Sequence, residues 1–351
     1  MKKITDVDKN FIVETSIKRN NLKLYDVEDA PFSVYGLMRE NGKFSRMPEE
    51  VAKSVNEGVL LLHDKTAGGR VRFVTDSSYV VISAKMNGIM SMEHFPFTGS
   101  AGFDLYADEG EGQVYKGTYM PPFSMKDGYE SVIDFSEAKK RLITINFPLY
   151  SGVDKLYVGL DENALLEVAP KYSHSVPVVY YGSSITQGGC ASRPGNAYQA
   201  IVSRLLDWDF INLGFSGSAK GEDTMTDYIN TLDMSVFVMD YDHNAPTPEH
   251  LEATHEPMFR KIRAAHPNLP ILMLTRPKVH LNEEEKRRVE IVERTYQNAI
   301  AAGDEHVYFI KGSDLIKPEI IETATVDNCH PNDSGFVSMA YKLCEVMKGL
   351  L

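Results

Sequence analysis

Cysteine is scarce in this 351-residue chain: Cys190, Cys329 and Cys344 are an odd number, too few for a disulfide scaffold and not spaced as zinc ligands. Basic charge is short as well. Lysine and arginine number 37 against 49 acidic residues, a net −12, which argues against a nucleic-acid or anionic-membrane partner. Neither half hides a basic domain, the balance being 20 against 25 up to residue 170 and 17 against 24 after it. No apolar run approaches the roughly 18 residues of a membrane span. Met1-Lys2-Lys3 runs straight into Asp6 and Asp8, so no secretory leader is read there. Internal repeats and low-complexity segments are lacking too. What remains is an ordinary globular composition, 43% hydrophobic and 25% charged, and at roughly 150 residues per domain the length favours two domains. The expectation is a soluble, cytoplasmic protein.

The chain changes character near residue 170. Before it, apolar and polar residues alternate. The stretch RVRFVTDSSYVVISAK, ending at Lys85, has the period-two pattern of a half-buried strand. Short runs of the same kind lie at Phe103 to Tyr106, Gln113 to Tyr119, Ser131 to Phe135, Leu142 to Phe147 and Lys155 to Leu160, separated by turn clusters. Helical periodicity is confined to a turn around Pro48 to Asn56. This spacing predicts an antiparallel β-sandwich over residues 1–170.

After residue 170, buried strands alternate with helices. PVVYYG, FINLG, VFVMDY, ILMLT and VYFIK are interleaved with helical patterns at Asn196 to Leu206, Asp223 to Leu232, Pro248 to His266, Glu283 to Ala302 and Ser334 to Met347. Repeated βα units predict a parallel five-stranded sheet covered on both faces, a flavodoxin-like three-layer α/β/α domain over residues 171–351. In that architecture the functional groups belong at the carboxyl ends of the strands.

Those ends collect the parts of a serine acyl-transfer site. Such a site needs a hydroxyl nucleophile, a base, a carboxylate to orient the base, and donors for the oxyanion. Ser184 stands where the first of these strands turns toward a helix. His330 lies just before the last helix, and Asp327 can fold back on its ring within a tight loop. Gly214 offers a backbone N–H at close range, having no Cβ to hold an acyl group off. Asn244 offers a side-chain amide. Arg193 and Tyr198, just beyond the Ser184 turn, are candidates for the substrate pocket, with a helix cap and sheet packing as the alternatives. Asp240, Asp242 and His243 lack a clear metal-ligand set. Cys329 is too close to His330 in sequence for both to face one carbonyl, and His243, His250 and His255 read as solvated or packing residues.

Taken in order, Ser184, Gly214, Asn244 and His330 make the sequence resemble the SGNH/GDSL hydrolase superfamily. Gly182-Ser183-Ser184-Ile185 is similar to the family's Gly-Asp-Ser-Leu block, with Ser183 in the Asp position, and Asp327-Asn328-Cys329-His330 is similar to its Asp-x-x-His block. The third block departs: Asp242-His243-Asn244-Ala245 keeps the Asn without the flanking Gly. Gly102-Phe103-Asp104-Leu105-Tyr106 resembles the GxDLY signature of a β-sandwich domain that precedes one branch of these hydrolases. The resemblance implies an esterase with catalytic Ser184, His330 and Asp327 and an oxyanion hole of Ser184, Gly214 and Asn244. It implies no metal or organic cofactor. The substrate implied is a small-molecule or oligosaccharide ester, acetylated carbohydrates above all. A lysophospholipase or thioesterase is the alternative within catalysis, and a non-catalytic carbohydrate-binding protein the alternative outside it.

Overall fold

The structure, a computed structural model, describes residues 15–351; the N-terminal run read for a leader lies outside them. The first half is a sandwich of two antiparallel sheets. One holds, in spatial order, Leu22–Asp26, Gly152–Asp161, Tyr79–Asn87 and Gly128–Asp134. The other holds Leu166–Glu167, Arg70–Thr75, Arg141–Asn146, Phe103–Asp108 and Gln113–Tyr119, with Ser33–Tyr35 also paired to Arg70–Thr75. The core lies between them. Val71, Phe73, Phe103, Leu105, Ile143 and Ile145 face Val80, Ile82, Leu156 and Val158, alternate residues on each strand as the pleat requires.

The stretch ending at Lys85 is two strands, not one, and they belong to different sheets. The Asp76-Ser77-Ser78 turn divides them: Ser77 donates its N–H to Thr75 Oγ1 (3.2 Å) and its hydroxyl to the Tyr79 carbonyl (2.7 Å). Nor is the first of them half-buried, since all six residues of Arg70–Thr75 are covered. Arg70 and Arg72 alternate with Val71 and Phe73 and point away from the sandwich core, toward the second half. The Arg70 guanidinium lies 3.9 Å over the Phe210 ring and donates to the Phe210 carbonyl (3.1 Å) and to Asp209. Arg72 lies 3.9 Å over Tyr172. The seam between the halves is thus made of arginines flattened on aromatic faces.

The second half is the expected three-layer domain. Its parallel strands lie in the order Trp208–Gly214, His174–Gly182, Val236–Asp240, Ile271–Leu274, Val307–Ile310, the 2-1-3-4-5 order of a flavodoxin-like sheet. Val178, Tyr180, Val238 and Leu272 face the helices Tyr198–Leu206 and Asp333–Met347. Val179, Tyr181, Phe237 and Met239 face Asp223–Ile229, Pro248–Ala265 and Glu283–Ala301. Two short helices of the first half, Glu49–Val55 and Glu57–Leu62, complete that second face, where a single turn was expected. Met47, Ala52, Val59 and Leu62 are buried in its core. Residues 47–62 therefore pack with the second half although in sequence they lie between the sandwich strands Ser33–Tyr35 and Arg70–Thr75. Among the described residues no helix is long and apolar enough to cross a membrane.

Candidate active site

In this all-parallel sheet the strand order reverses between His174–Gly182 and Val236–Asp240, which opens a crevice at their carboxyl ends. The register sets three exits level, because Gly182 pairs with Gly214 on one side and with Asp240 on the other. Ser184, the Phe215 loop and the Tyr241 to Asn244 loop therefore leave the sheet side by side. Ser183 caps the short helix Ser184–Gln187, its hydroxyl accepting the Ile185 N–H (3.1 Å). This cap role explains why a serine can stand in the Asp position. Ser184 is 9% exposed, and its carbonyl accepts the Tyr150 hydroxyl (3.3 Å) and the Gly189 N–H (2.8 Å).

The structure brings Ser184, His330 and Asp327 together from opposite ends of the domain. Ser184 Oγ is 2.8 Å from His330 Nε2, and His330 Nδ1 is 2.8 Å from Asp327 Oδ2. The other carboxylate oxygen of Asp327 accepts the N–H groups of Cys329 (3.0 Å) and His330 (2.7 Å). Asn328 takes φ +62° between them, a left-handed position that asparagine tolerates. Val326 N–H donates to the His330 carbonyl (2.9 Å) and closes the loop on itself. Burial pushes the Asp327 carboxyl up, but the His330 N–H and ring outweigh it and hold it below its usual range. The neighbouring Cys329 sulfur and, against the pull of burial, the Asp327 carboxylate raise the His330 ring to about 9. The Asp327 contact is 2.8 Å long and shared with the loop backbone, so the carboxylate fixes the ring.

The oxyanion donors need one correction. Gly214 does not present its N–H to Ser184: that group donates to Asn212 Oδ1 (2.8 Å), inside the sheet. The absence of a Cβ there serves packing, since one would sit 2.2 Å from the Gln187 nitrogen. Three residues on, Gly217 is exposed, with φ +66° and open space around it. Its N–H and that of Ser184 have no partner among the described residues. Asn244 Nδ2 donates to the Phe215 carbonyl (3.0 Å), which ties the third exit to this loop, and Ser216 N–H donates to Gln187 Oε1 (3.0 Å). A strand end and the loop beyond it look alike in sequence; only the hydrogen bonds tell which glycine is free.

The two pocket candidates also lie elsewhere. Tyr198 is fully buried, its hydroxyl 3.2 Å from Asp240 Oδ2 and its ring stacked on Phe336, so it cannot meet a substrate. Arg193 lies 4.0 Å over the Tyr115 ring and 3.7 Å from Asp104, at the seam with the sandwich. His255 is buried, with Nδ1 3.0 Å from Thr295 Oγ1, and burial lowers its ring to about 4.

Several residues hold the site in ways the sequence did not indicate. Arg46, from the first half, is buried without a carboxylate. It donates to the carbonyls of Gly214 and Leu62 (2.6 Å for Leu62) and lies 4.5 Å over the Phe215 ring, and burial lowers its guanidinium to about 9. Nothing in its surroundings along the chain marks it. Asp104, the acid of the GxDLY stretch, accepts the Gly195 N–H (2.7 Å) in the loop after the Ser184 helix and the Asn146 amide (2.7 Å). Burial nevertheless leaves its carboxyl raised. Beneath the Ser184 turn, Asp240 Oδ2 accepts the hydroxyls of Thr186 (2.9 Å) and Tyr198, and its Oδ1 has no partner among the described residues. Burial, reinforced by Asp242, raises this carboxyl to about 8.

Two family models match the chain. Residues 175–348 match the GDSL-like lipase/acylhydrolase family, and residues 22–166 match the GxDLY domain, the N-terminus of SGNH-hydrolase-type esterases. No curated protein matches the sequence. A protein described as a GDSL-like lipase from Bacteroides ovatus superposes with a TM-score of 0.84 at 25% identity, covering 94% of this chain and 98% of the other. A salicylyl-acyltransferase from a tetracycline biosynthetic pathway gives 0.77 at 20%, with 95% and 98% covered. An acetyl xylan esterase from the rumen bacterium Butyrivibrio proteoclasticus gives 0.59 at 13%, with 93% and 98% covered. At these identities the last two share the fold. Together with the sheet order and the two domains in this sequence, these matches assign the chain to the GDSL-like lipase/acylhydrolase family of carboxylic ester hydrolases, in the branch that carries a GxDLY domain ahead of it.

Proposed function

We propose that this chain is a serine esterase that removes short acyl groups, acetyl above all, from carbohydrates. The observation that carries the reading is the Ser184–His330–Asp327 relay, two contacts of 2.8 Å in series. In the neutral form of the ring Asp327 holds the proton on Nδ1, so Nε2 has the lone pair that takes the Ser184 proton as Oγ bonds to the ester carbon. The carbonyl oxygen becomes an oxyanion, received by the N–H groups of Ser184 and Gly217 and the Asn244 amide. His330 then gives its proton to the alcohol oxygen as the C–O bond breaks, leaving the acyl group on Ser184. Water, deprotonated by the same ring, attacks the acyl-enzyme, and the acid leaves as Ser184 regains its proton.

Two observations favour a hydroxylated alcohol. A cavity of about 460 Å³ next to the Asp327 loop is lined by Lys278, His280, Glu322, Thr325 and Asn328 together with apolar residues such as Val279, Ile316 and Ile321, a mixture that suits the hydroxyls and apolar faces of a sugar ring better than an alkyl chain alone. Among the proteins of similar fold is an acetyl xylan esterase. The deciding experiment is a screen of acetylated oligosaccharides against long-chain lysophospholipid and thioester substrates, with Ser184→Ala alongside. Release of acetate by the wild type alone supports the reading, whereas a preference for long acyl chains overturns it.

A further inference from the structure

We propose that the chain carries an inhibitory zinc site whose three protein ligands are His94, Cys190 and His330. The inhibition rests on the reading of His330 as the base; the binding does not. The ligand-capable atoms of these residues lie within 4.8 Å of one another, and the rings of His94 and His330 are 5.4 Å apart at their centroids. They come from three separate segments. His94 lies in the sandwich loop between Tyr79–Asn87 and the short helix Phe97–Ser100, Cys190 in the turn after the Ser184 helix, and His330 in the loop before the final helix. No spacing along the chain foretells such a set.

The donor chemistry selects the metal. Two imidazoles and a thiolate suit zinc, whereas magnesium and calcium want oxygen. Tetrahedral bonds of about 2.0–2.3 Å place such donors roughly 3.5 Å apart, a closure that His94, exposed on its loop, can supply by turning its ring. A cavity of about 440 Å³ reaches His94 and Cys190 and is lined also by Ser192 and Asp333. It gives an ion a route in, an acidic side chain on the way, and room for a water as fourth ligand. Cys190 loses its thiol proton to solvent on coordination, and nothing is oxidised or reduced.

The same geometry makes zinc binding and turnover mutually exclusive. While Asp327 occupies Nδ1, the ring's one lone pair is on Nε2, the atom 2.8 Å from Ser184 Oγ. Zinc that takes that lone pair leaves Ser184 without a base. Such a site would silence the esterase in zinc-rich surroundings and release it on chelation.

The test titrates zinc chloride into chelator-treated, full-length protein, followed by calorimetry, by turnover of an activated acetate ester, and by cobalt(II) absorption, whose thiolate charge-transfer band reports Cys190. One zinc per chain is expected, with inhibition of at least about tenfold that chelator reverses. His94→Ala and Cys190→Ser should each weaken binding by at least about tenfold, inhibition being scored against each variant's own metal-free rate. Ser184→Ala, though inactive, should still bind. Absence of binding, or binding that survives both ligand substitutions, overturns the site. A wild type that binds zinc but cleaves no ester would instead overturn the esterase reading and leave the site standing.

Discussion

The two halves of the molecule divide the labour unequally. The α/β half supplies the groups proposed to touch the ester: Ser184, His330, Asp327, Gly217 and Asn244. The sandwich half supplies groups that hold them in place. Arg46 fixes the Gly214 carbonyl and the Phe215 ring, Asp104 fixes Gly195, and Thr98 Oγ1 donates to the Ser192 carbonyl (2.6 Å). The difference teaches that the first half is not a detachable unit. Its polar side chains are spent on the backbone of the loops that leave the parallel sheet, and its helices Glu49–Val55 and Glu57–Leu62 close that sheet's core.

If chemistry and support are separable in this way, substitutions should sort by half. The largest effect belongs to Ser184→Ala. Turnover should fall by at least about 10⁴-fold, the loss typical of a missing nucleophile, while the melting temperature stays within a degree or two because the hydroxyl stands at the site rather than in the core. Rate measurement and thermal unfolding on the same sample check both halves of that statement, and a retained rate removes Ser184 from its role. Next comes Asn244→Ala. Loss of one oxyanion donor lowers the rate by about 10²–10³, and a change under threefold would mean that its amide serves only the Phe215 carbonyl.

The comparison also explains what the sequence could tell. In the α/β half the strands are continuous apolar runs bounded by helices, so their number, their order and the strand exits that carry Ser184 and His330 were legible. Asp327 was legible because three residues in a tight loop leave it few places to go. Gly214 misled for a physical reason: a strand end and the loop after it both hold a glycine, and the choice between them depends on Asn212 Oδ1, which only the folded sheet brings to the Gly214 N–H. Arg193 and Tyr198 misled because nearness to Ser184 in sequence says nothing of direction: Tyr198 packs into the core and Arg193 lies on the Tyr115 ring. In the sandwich half, Arg70 and Arg72 read as the polar face of a strand although both are buried. The surface covering them belongs to the other half of the molecule, beyond the reach of any local pattern.

A support residue should then cost stability as well as rate. Asp104→Ala leaves the Gly195 N–H and the Asn146 amide buried without an acceptor. The expected loss is about 2–4 kcal/mol, read as a lower denaturation midpoint, with a smaller drop in kcat than for Asn244→Ala. An unchanged midpoint would mean that the seam does not depend on this carboxyl.

The smallest effect on turnover, and the sharpest test of support beneath the site, is expected at Asp240. With its carboxyl raised to about 8, the folded protein keeps a proton that the unfolded chain, with an ordinary Asp, gives up near 4. Between those values the native state binds more protons than the unfolded state, so this group's contribution to stability is complete below about 4 and is lost as pH rises toward 8. Asp240→Asn is close in shape to the neutral acid. It can keep an acceptor for Thr186 and Tyr198, and it does not titrate. The variant and the wild type should melt together at pH 4 and below, and the variant should gain steadily on the wild type up to about pH 8 and level off above it, with turnover at pH 7 changed less than threefold. A difference in melting temperature that stays constant across that range would show that Asp240 is already ionised in the fold, its charge balanced by the two hydroxyls alone.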